Sequence, residues 1–393
     1  MYLSILNKSK QSLFLLALLM LTHCSSPTDI AEAKTEAEKL LQKEINKENV
    51  HNLFLNVYSP SLEIDWQYNY GKFKNGEAVT AANPFYTASI GKTFTAIAIA
   101  ILVEEKRLKF EDKISNYLPE EIMLKLHVFD GKDISKEITI EQLLQHTSGL
   151  PDYFEGETTD GSPNVMEQLF TDQNKHWEPL ETIALAKEKM KPLFEPVNGY
   201  NYTDTEYVLL GLIIEEVSKT PLHEFFRDRI FEPVNMVHTS MHLRSSPLKK
   251  TSRLSEIYVD DFEASSMKSL SADWAGGGLI STASDLIKFQ HALFSGQLIS
   301  VETLKTMQNW IPETYAMEYG FGLRKIAFRK LFPTLPDLTL VGHSGSTGSF
   351  MYYCPEMDVY LAGTLNQTDE VKNSVVLMVK ILSGIYNTKD FDS

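Results

Sequence analysis

One apolar stretch constrains the fold of this chain more than any other. Residues 96–103 read Ala-Ile-Ala-Ile-Ala-Ile-Leu-Val. A helix that is apolar on every face is normally buried at the centre of a domain. Ser89 and Lys92 lie just before this stretch and three residues apart, so on a helix their side chains share one face. We therefore expect a buried central helix with a Ser–Lys pair at its N-terminal end.

The Ser–Lys pair suggests nucleophilic catalysis. A serine hydroxyl is a weak nucleophile until a base takes its proton, and a lysine acts as that base only when burial lowers its pKa. The spacing alone says little, because it recurs at Ser246/Lys249 and Ser265/Lys268. Only Ser89 and Lys92 open a long apolar helix. The alternative is structural: Ser89 caps the helix, and Lys92 extends its ammonium to solvent.

Charge and motif content exclude two classes of partner. The 393 residues carry a net charge of −15, whereas binding to nucleic-acid phosphates needs a basic surface. The run Gly91-Lys92-Thr93 resembles the end of a phosphate-binding P-loop, but that motif needs a glycine where this chain has Tyr86. Neither nucleic acid nor a nucleotide is therefore expected. The length suits one large domain or two smaller ones.

The N-terminus has the pattern of an export signal. Lys8 and Lys10 precede an apolar run at residues 13–21, which is too short to span a bilayer comfortably. The following Leu21-x-x-Cys24 resembles the bacterial lipoprotein cleavage box, although His23 replaces the usual small residue. We predict a signal peptide at residues 1–24, lipidation at Cys24, and a location in the bacterial cell envelope, periplasmic or surface-exposed. An ordinary secretory signal is the alternative.

Two segments after the signal follow from this interpretation. Residues 25–50 are rich in Ala, Glu and Lys and are predicted to form an exposed helix or tether. With Cys24 lipidated, Cys354 has no partner for an intramolecular disulfide. Cys354 lies in a strand-like run and is expected to be buried rather than reactive.

The folded part, residues 51–390, is predicted to be α+β with three α/β/α layers. Strand patterns occur near both chain ends, and a mostly helical subdomain is expected at about 110–245. A mostly antiparallel sheet would thus be built from both ends and flanked by helices. The expected elements are strands at 53–58, 62–70, 319–326, 338–342, 349–353 and 359–365, short helices at 140–144 and 285–294, and a closing helix at 369–386.

A tyrosine-rich loop precedes a strong helix pattern at residues 208–215. Thr203 and Glu206 have the spacing of a capping box. Tyr202 is not explained by capping. Placed at a helix start near a lysine ammonium, Tyr202 would have a lowered pKa and act as a base.

A glycine-rich polar patch lies between two strand patterns at residues 341–350. Glycine allows another backbone or a ligand to approach closely. Taken alone, the patch also fits a simple hairpin turn.

Together the three stretches resemble the serine β-lactamase and penicillin-binding superfamily, in particular its class C β-lactamase-like branch of D-aminopeptidases, DD-peptidases and esterases. That family carries Ser-x-x-Lys, Tyr-x-Asn and Lys-Thr-Gly or His-x-Gly in this order. Here the motifs read Ser89-x-x-Lys92, Tyr202-x-Asp204 and His343-Ser344-Gly345. Residues 145–151, 207–211 and 277–286 match further phrases, and the resemblance spans residues 53–386.

The resemblance implies a role for each matching residue. Ser89 is the expected acylated nucleophile, and Lys92 and Tyr202 are expected to share the proton transfers. The backbone N–H groups of Ser89 and Ser346 would form the oxyanion hole. The substrate-binding residues would be Asp204, His343, Ser344 and Gly345. No metal or cofactor is implied.

Two residues depart from the family pattern. Asp204 stands where asparagine is usual, and an ionised carboxylate cannot donate a hydrogen bond to a substrate carbonyl. Asp204 would also keep Lys92 charged and shift the role of base to Tyr202. His343 replaces a lysine, and a mostly neutral imidazole is a weaker anchor for an anion. Both changes argue against efficient β-lactam hydrolysis.

The main hypothesis is a metal-independent serine hydrolase that acts through an acyl-enzyme on an ester or a D-amino-acid-containing peptide. The alternative is a penicillin-binding-fold protein that recognises cell-wall fragments with little turnover. A Ser-His-Asp enzyme of the α/β-hydrolase type would need Gly-x-Ser-x-Gly, which the chain lacks. The expected partners are a small-molecule or peptide substrate and, through the lipid, a membrane. Oligomeric state stays open.

Overall fold

The computed structural model describes residues 27–389 and residue 391. The predicted signal peptide at residues 1–24 and its Cys24 lie outside these described residues. The helices are α1 (Ile30–Ile45), α2 (Gly91–Glu104), α3 (Glu120–Met123), α4 (Ile140–Leu144), α5 (Val165–Thr171), α6 (Pro179–Lys189), α7 (Asp204–Ser218), α8 (Leu222–Phe226), α9 (Trp274–Gly277), α10 (Ala283–Phe294), α11 (Val301–Met307), α12 (Phe328–Leu331) and α13 (Val371–Tyr386).

The strands form one large sheet and three small ones. They are β1 (Asn52–Ser59), β2 (Ile64–Gly71), β3 (Phe85–Tyr86), β4 (Val128–Phe129), β5 (Lys132–Asp133), β6 (Ser240–Met241), β7 (Tyr258–Val259), β8 (Phe262–Glu263), β9 (Leu279–Ser281), β10 (Ile311–Pro312), β11 (Met317–Tyr319), β12 (Arg324–Ala327), β13 (Thr339–Ser344), β14 (Ser349–Cys354) and β15 (Val359–Thr364). The large sheet has the order β10-β11-β12-β13-β14-β15-β1-β2, and its strand pairs are antiparallel.

The large sheet confirms an α+β fold built from both chain ends. Strand β1 pairs with β15, so that Phe54 lies opposite Thr364, and β2 forms one edge of the sheet. Side chains alternate between the two faces of a strand. Leu53 and Leu55 accordingly enter one apolar cluster with α1 and α13, whereas Phe54 enters another with α2 and α7. The three expected layers are thus α1 with α13, the large sheet, and α2 with α7.

The structure confirms two predictions made from local patterns, the buried central helix and the buried Cys354. All residues of α2 from Gly91 to Leu102 are buried, as an all-apolar helix requires. Thr282 accepts a hydrogen bond from the Asp285 N–H and caps α10. Cys354 is fully buried, and burial raises the pKa of its thiol.

Helix α1 corrects the prediction of an exposed tether. The helix forms, but its Ala33, Ala37 and Leu41 are buried in the cluster shared with α13. These residues are spaced four apart and therefore lie on one face. The sequence-based interpretation considered the charged residues of this helix and not its apolar stripe.

The predicted strand at residues 319–326 is wrong, because the structure divides it. Strands β11 and β12 pair with each other, and Tyr319 lies opposite Arg324. The Gly320 N–H donates to the Leu323 carbonyl at 2.8 Å, and Gly322 has a φ of 65°. Glycine adopts this left-handed conformation without steric cost, which permits the chain reversal.

Candidate active site

Ser89 lies in a short 3-10 turn, Ala88–Ile90, directly before α2. Its predecessor Ala88 has a φ of 46°, in a region that non-glycine residues seldom adopt and that recurs at functional sites. Lys92 is fully buried, and its Nζ donates to Ser89 Oγ at 3.3 Å. The structure thus brings together the two residues of the first motif.

The Asp204 carboxylate contacts the Lys92 ammonium directly. Burial opposes the charge on Lys92, but the negative charge of Asp204 outweighs it, and the pKa of Lys92 lies above its ordinary value. The ammonium also donates to the Gly276 carbonyl at 3.2 Å. Lys92 is therefore a cation in the resting site, as the Asp204 substitution predicts.

The close approach of these groups depends on Gly276. A Cβ atom at that position would lie 2.4 Å from Asp204 Oδ1, well inside van der Waals contact. The neighbouring Gly277 also packs against the start of α2, since a Cβ on Gly91 would lie 2.8 Å from the Gly277 Cα. Gly276 thus provides space for the Lys–Asp pair, and Gly277 provides space for the start of α2.

Two further carboxyl groups surround this pair. The Asp204 N–H donates to Asp152 Oδ1 at 2.9 Å, and the Tyr86 hydroxyl donates to Asp273 Oδ2 at 2.9 Å. Desolvation and the charge of Asp204 raise the pKa of both Asp152 and Asp273 to about 7. Neither residue belongs to a motif, so no sequence pattern indicates that their carboxyl groups interact with Asp204 and Lys92.

Tyr202 lies beside Lys92, with Nζ 4.8 Å from the ring centroid. Its hydroxyl is buried and has no hydrogen-bond partner within residues 27–389. Burial raises the pKa of Tyr202, and the Lys92 ammonium and Ser89 hydroxyl only partly offset that effect. The expected lowering of the Tyr202 pKa is therefore wrong, because desolvation is the largest influence. Tyr202 is a neutral phenol in the resting site.

His343 is not placed to bind a substrate anion. Its Nδ1 lies 2.8 Å from the Ser344 carbonyl oxygen, which can only accept, so Nδ1 carries the proton. Its Nε2 therefore accepts from the Tyr319 hydroxyl at 3.1 Å. The ring is fully buried, and burial and the nearby cations hold the pKa of His343 well below its usual range. Both ring nitrogens are thus occupied by the protein.

The third motif packs against the turn that carries Ser89. The Ser349 hydroxyl donates to the Thr87 carbonyl at 2.7 Å, and a Cβ on Gly345 would lie 2.8 Å from the Ala88 Cβ. Ser346 follows on an exposed turn. Gly345 and Ser349 thus contact the two residues that precede Ser89. The oxyanion role stays a prediction.

Arg324 is a site residue that the sequence interpretation missed. Its guanidinium lies 4.9 Å from the Tyr202 ring centroid and reaches Ser344 Oγ at 3.5 Å. Two hydrogen bonds of 2.8 and 2.7 Å join Arg324 to Glu313. A single arginine in a strand pattern carries no motif, so only the pairing of β12 with β13 reveals its position.

The predicted capping box at the start of α7 is wrong. The Thr203 side chain accepts from the Thr205 N–H, but Glu206 turns away from the helix start. Its Oε1 accepts from the Ser148 hydroxyl at 2.5 Å, and its Oε2 lies 2.5 Å from His146 Nδ1. Glu206 thus joins α7 to the loop at residues 145–151.

Sequence relatives show the family. A family model described as Beta-lactamase matches residues 54–380. The chain belongs to the beta-lactamase family. Penicillin-binding protein 4* of Bacillus subtilis (strain 168) is 28% identical over 272 residues, which are 65% of this chain and 55% of that protein. The putative penicillin-binding protein PbpX of the same strain is 27% identical over 274 residues, 67% of this chain and 60% of the relative. The resemblance inferred from the motifs is confirmed, although the chain spans little more than half the length of these relatives.

Solved structures share the fold. D-amino acid amidase from Ochrobactrum anthropi SV3, in complex with L-phenylalanine amide, superposes with a TM-score of 0.75 at 23% identity, covering 91% of this chain and 99% of the amidase. EstCE1, a hydrolase with promiscuous acyltransferase activity, superposes with a TM-score of 0.71 at 17% identity, covering 90% and 98% of the two chains. These likenesses confirm the α+β fold.

Neither a metal-binding cluster nor a membrane-spanning helix occurs among the described residues. Residues 27–389 hold no group of three or more His, Cys, Asp or Glu side chains arranged to bind a metal ion. In the same part of the chain, no helix combines the length and apolar character needed to cross a membrane.

Proposed function

We propose that this protein is a serine hydrolase that acts through an acyl-enzyme on an ester or a D-amino-acid-containing peptide or amide. The observation that carries the proposal is the Lys92 ammonium, buried and 3.3 Å from the hydroxyl of the partly exposed Ser89. Family membership supports a hydrolase with this fold. The D-amino acid amidase, which shares the fold, supports a D-amino-acid amide as substrate, and EstCE1, a hydrolase with promiscuous acyltransferase activity, supports acyl transfer on this fold.

In the proposed acylation, Ser89 Oγ attacks the substrate carbonyl carbon. The charged Lys92 donates to Oγ and stabilises the developing alkoxide, but it cannot accept the proton. The neutral Tyr202 instead relays it, accepting the Ser89 proton as its own hydroxyl proton passes to the leaving group. In deacylation, a water molecule attacks the ester, its proton passes to Tyr202, and the Tyr202 proton returns to Ser89 Oγ. Tyr202→Phe should lower turnover by the ~10²–10⁴-fold typical of proton-transfer catalysis.

The test uses a fluorophosphonate probe, which labels activated serines. The wild-type protein should label and should hydrolyse at least one of short-chain esters, D-amino-acid amides, D-Ala-D-Ala peptides and a chromogenic cephalosporin. Ser89→Ala should abolish both. Ser246→Ala is the matched control, since it lies in another Ser-x-x-Lys spacing, and it should label normally. If the wild-type protein neither labels nor turns over any of these substrates, the proposed enzymatic function is refuted.

A binding protein for cell-wall fragments is the second candidate. It is favoured by the Asp204 contact that keeps Lys92 charged, since a permanently charged lysine is no base. Such a protein would bind D-Ala-D-Ala peptides in a calorimetric titration while leaving them intact and failing to label. Turnover that depends on Ser89 would exclude this function.

We also propose that Cys24 anchors the chain to a bacterial envelope membrane, with the catalytic domain in the periplasm or on the cell surface. The support is the basic, apolar and Leu-x-x-Cys pattern of residues 8–24. One acyl chain binds membranes only marginally, so stable anchoring needs more than one chain. Cys24→Ser should move the protein from the membrane to the soluble fraction. A wild type already in the soluble fraction would leave only the secretory signal.

A further inference from the structure

His146 contacts the chain on both sides of Tyr202. The Asn201 N–H donates to the His146 carbonyl oxygen at 3.0 Å, and the Thr203 N–H donates to His146 Nδ1 at 3.3 Å. The centroids of the His146 and Tyr202 rings lie 4.4 Å apart. His146 is fully buried and has a φ of 60°. These contacts fix the backbone of Tyr202 from either side and pack one face of its ring.

Glu206 determines the protonation state of His146. The Thr203 N–H donates to Nδ1, which makes this nitrogen an acceptor, so its single lone pair is shared between the Thr203 N–H at 3.3 Å and the acid hydrogen of Glu206, whose Oε2 lies at 2.5 Å. The ring proton then lies on Nε2, which is buried and has no hydrogen-bond partner within residues 27–389. The other oxygen of Glu206 accepts from Ser148. Burial raises the pKa of Glu206 well above its usual range and lowers that of His146, so two neutral groups face each other.

We propose that His146 is a positioning residue for Tyr202 and that Glu206, as a neutral acid, locks the imidazole in place. The proposal rests on the proposed function in one respect, namely that Tyr202 transfers the proton. It assigns a role to the loop at residues 145–151, which the catalytic steps themselves do not use. The Tyr202 hydroxyl has no hydrogen-bond partner within residues 27–389, so the position of its ring depends on packing against His146, Lys92 and Arg324 and on the backbone contacts of His146.

The kinetic test compares three variants on one ester substrate. His146→Ala and Glu206→Ala should lower kcat by about 10²-fold, the loss that follows a misplacement of about 1 Å, with KM little changed. Glu206→Gln should stay near the wild type, because the amide donates to Nδ1 and its oxygen accepts from Ser148. If Glu206→Gln is as impaired as Glu206→Ala, Glu206 is not a neutral acid.

The control is His127→Ala, which removes another fully buried imidazole. His127 Nε2 lies 2.9 Å from the Phe194 carbonyl, and among the described residues its ring pairs with Phe129 and not with Tyr202. Thermal melting identifies variants that fail to fold. A kcat for His146→Ala no lower than that of an equally stable His127→Ala would overturn the positioning role.

A second measurement does not depend on activity. In ¹⁵N NMR spectra, the His146 signal, assigned by its loss in folded His146→Ala, should show the tautomer protonated at Nε2. A proton on Nδ1, or an imidazolium, would refute the proposal even if the enzyme is inactive. Failure of the proposed function appears separately, as a wild type that neither labels nor turns over substrate.

Discussion

At the scale of single residues, Asp204 changes the chemistry of the site most. It is the counter-ion of Lys92, and its charge helps to raise the pKa of Asp152 and Asp273. Asparagine at this position keeps the shape of the side chain, removes the charge and adds an N–H donor. The substitution therefore separates the charge of Asp204 from its size.

Asp204→Asn should raise turnover of amides or β-lactams relative to simple esters. The new donor can bind a substrate carbonyl, and an amide depends more on such a bond because an ester is more reactive. The ratio of amide to ester kcat/KM should be measured for both proteins, with melting temperatures as the control. Equal loss of both activities would show that the Asp204 carboxylate is itself essential, for example by orienting Lys92.

The raised pKa values of Asp152 and Asp273 predict a pH dependence of stability. Both are about 7 in the folded protein, against about 3.9 for an unfolded aspartate. Between these values the folded state binds more protons than the unfolded state. The free energy of unfolding should therefore fall as the pH rises from about 4 to about 7.

Asp273→Asn should flatten this decline, since it removes one of the two titrating groups while its amide oxygen can still accept from Tyr86. Each unit of pKa shift corresponds to about 1.4 kcal/mol. Urea unfolding at pH 5 and pH 8 measures the difference. The exposed Asp261→Asn is the control and should leave the pH dependence intact. A wild type whose stability rises over this interval would contradict the raised pKa values of Asp152 and Asp273.

At the scale of elements, the sequence patterns predicted the helices that are determined by the residues within them. The apolar run after Ser89 predicted α2, and the pattern at 285–294 predicted α10. Long-range contacts had no such signal, as Glu206 shows: its spacing from Thr203 fits a capping box, but His146 and Ser148 compete for its carboxyl. Asp152, Asp273 and Arg324 likewise reach the site only through tertiary packing.

Helix α1 yields a prediction at this scale. Leu41 is fully buried between α1 and the rest of its cluster, so Leu41→Ala should cost about 2–5 kcal/mol of stability, as large-to-small core substitutions do. Gln42→Ala, at an exposed position on the same helix, is the matched control and should change stability by less than about 0.5 kcal/mol. Chemical denaturation measures both. A Leu41→Ala protein as stable as the control would restore the tether interpretation.

At the scale of the whole molecule, one sheet joins two apolar clusters. Strand β1 supplies Leu53 and Leu55 to the cluster with α1 and α13, and Phe54 to the cluster with α2 and α7. Because the same strands supply side chains to both clusters, unfolding of the strands on one face would also expose the apolar side chains on the other face. Ser89 and Lys92 lie at one end of α2, while the third motif belongs to strands of the same sheet. The site therefore depends on both clusters.

This arrangement predicts a shared unfolding transition. Trp66 lies in the cluster with α1 and α13, whereas Trp177 and Trp274 lie in the other. In Trp66→Phe, tryptophan fluorescence reports the cluster with α2 and α7. Its urea midpoint should equal two others measured on the same variant, that of far-UV circular dichroism and that of the loss of fluorophosphonate labelling. A triple variant, Trp177→Phe with Trp274→Phe and Trp310→Phe, leaves Trp66 as the reporter of the cluster with α1 and α13 and provides the reciprocal comparison. Coincident midpoints are the mark of a cooperative transition. Separated midpoints, which larger proteins with populated intermediates give, would instead show that the two sides of the sheet unfold as independent units.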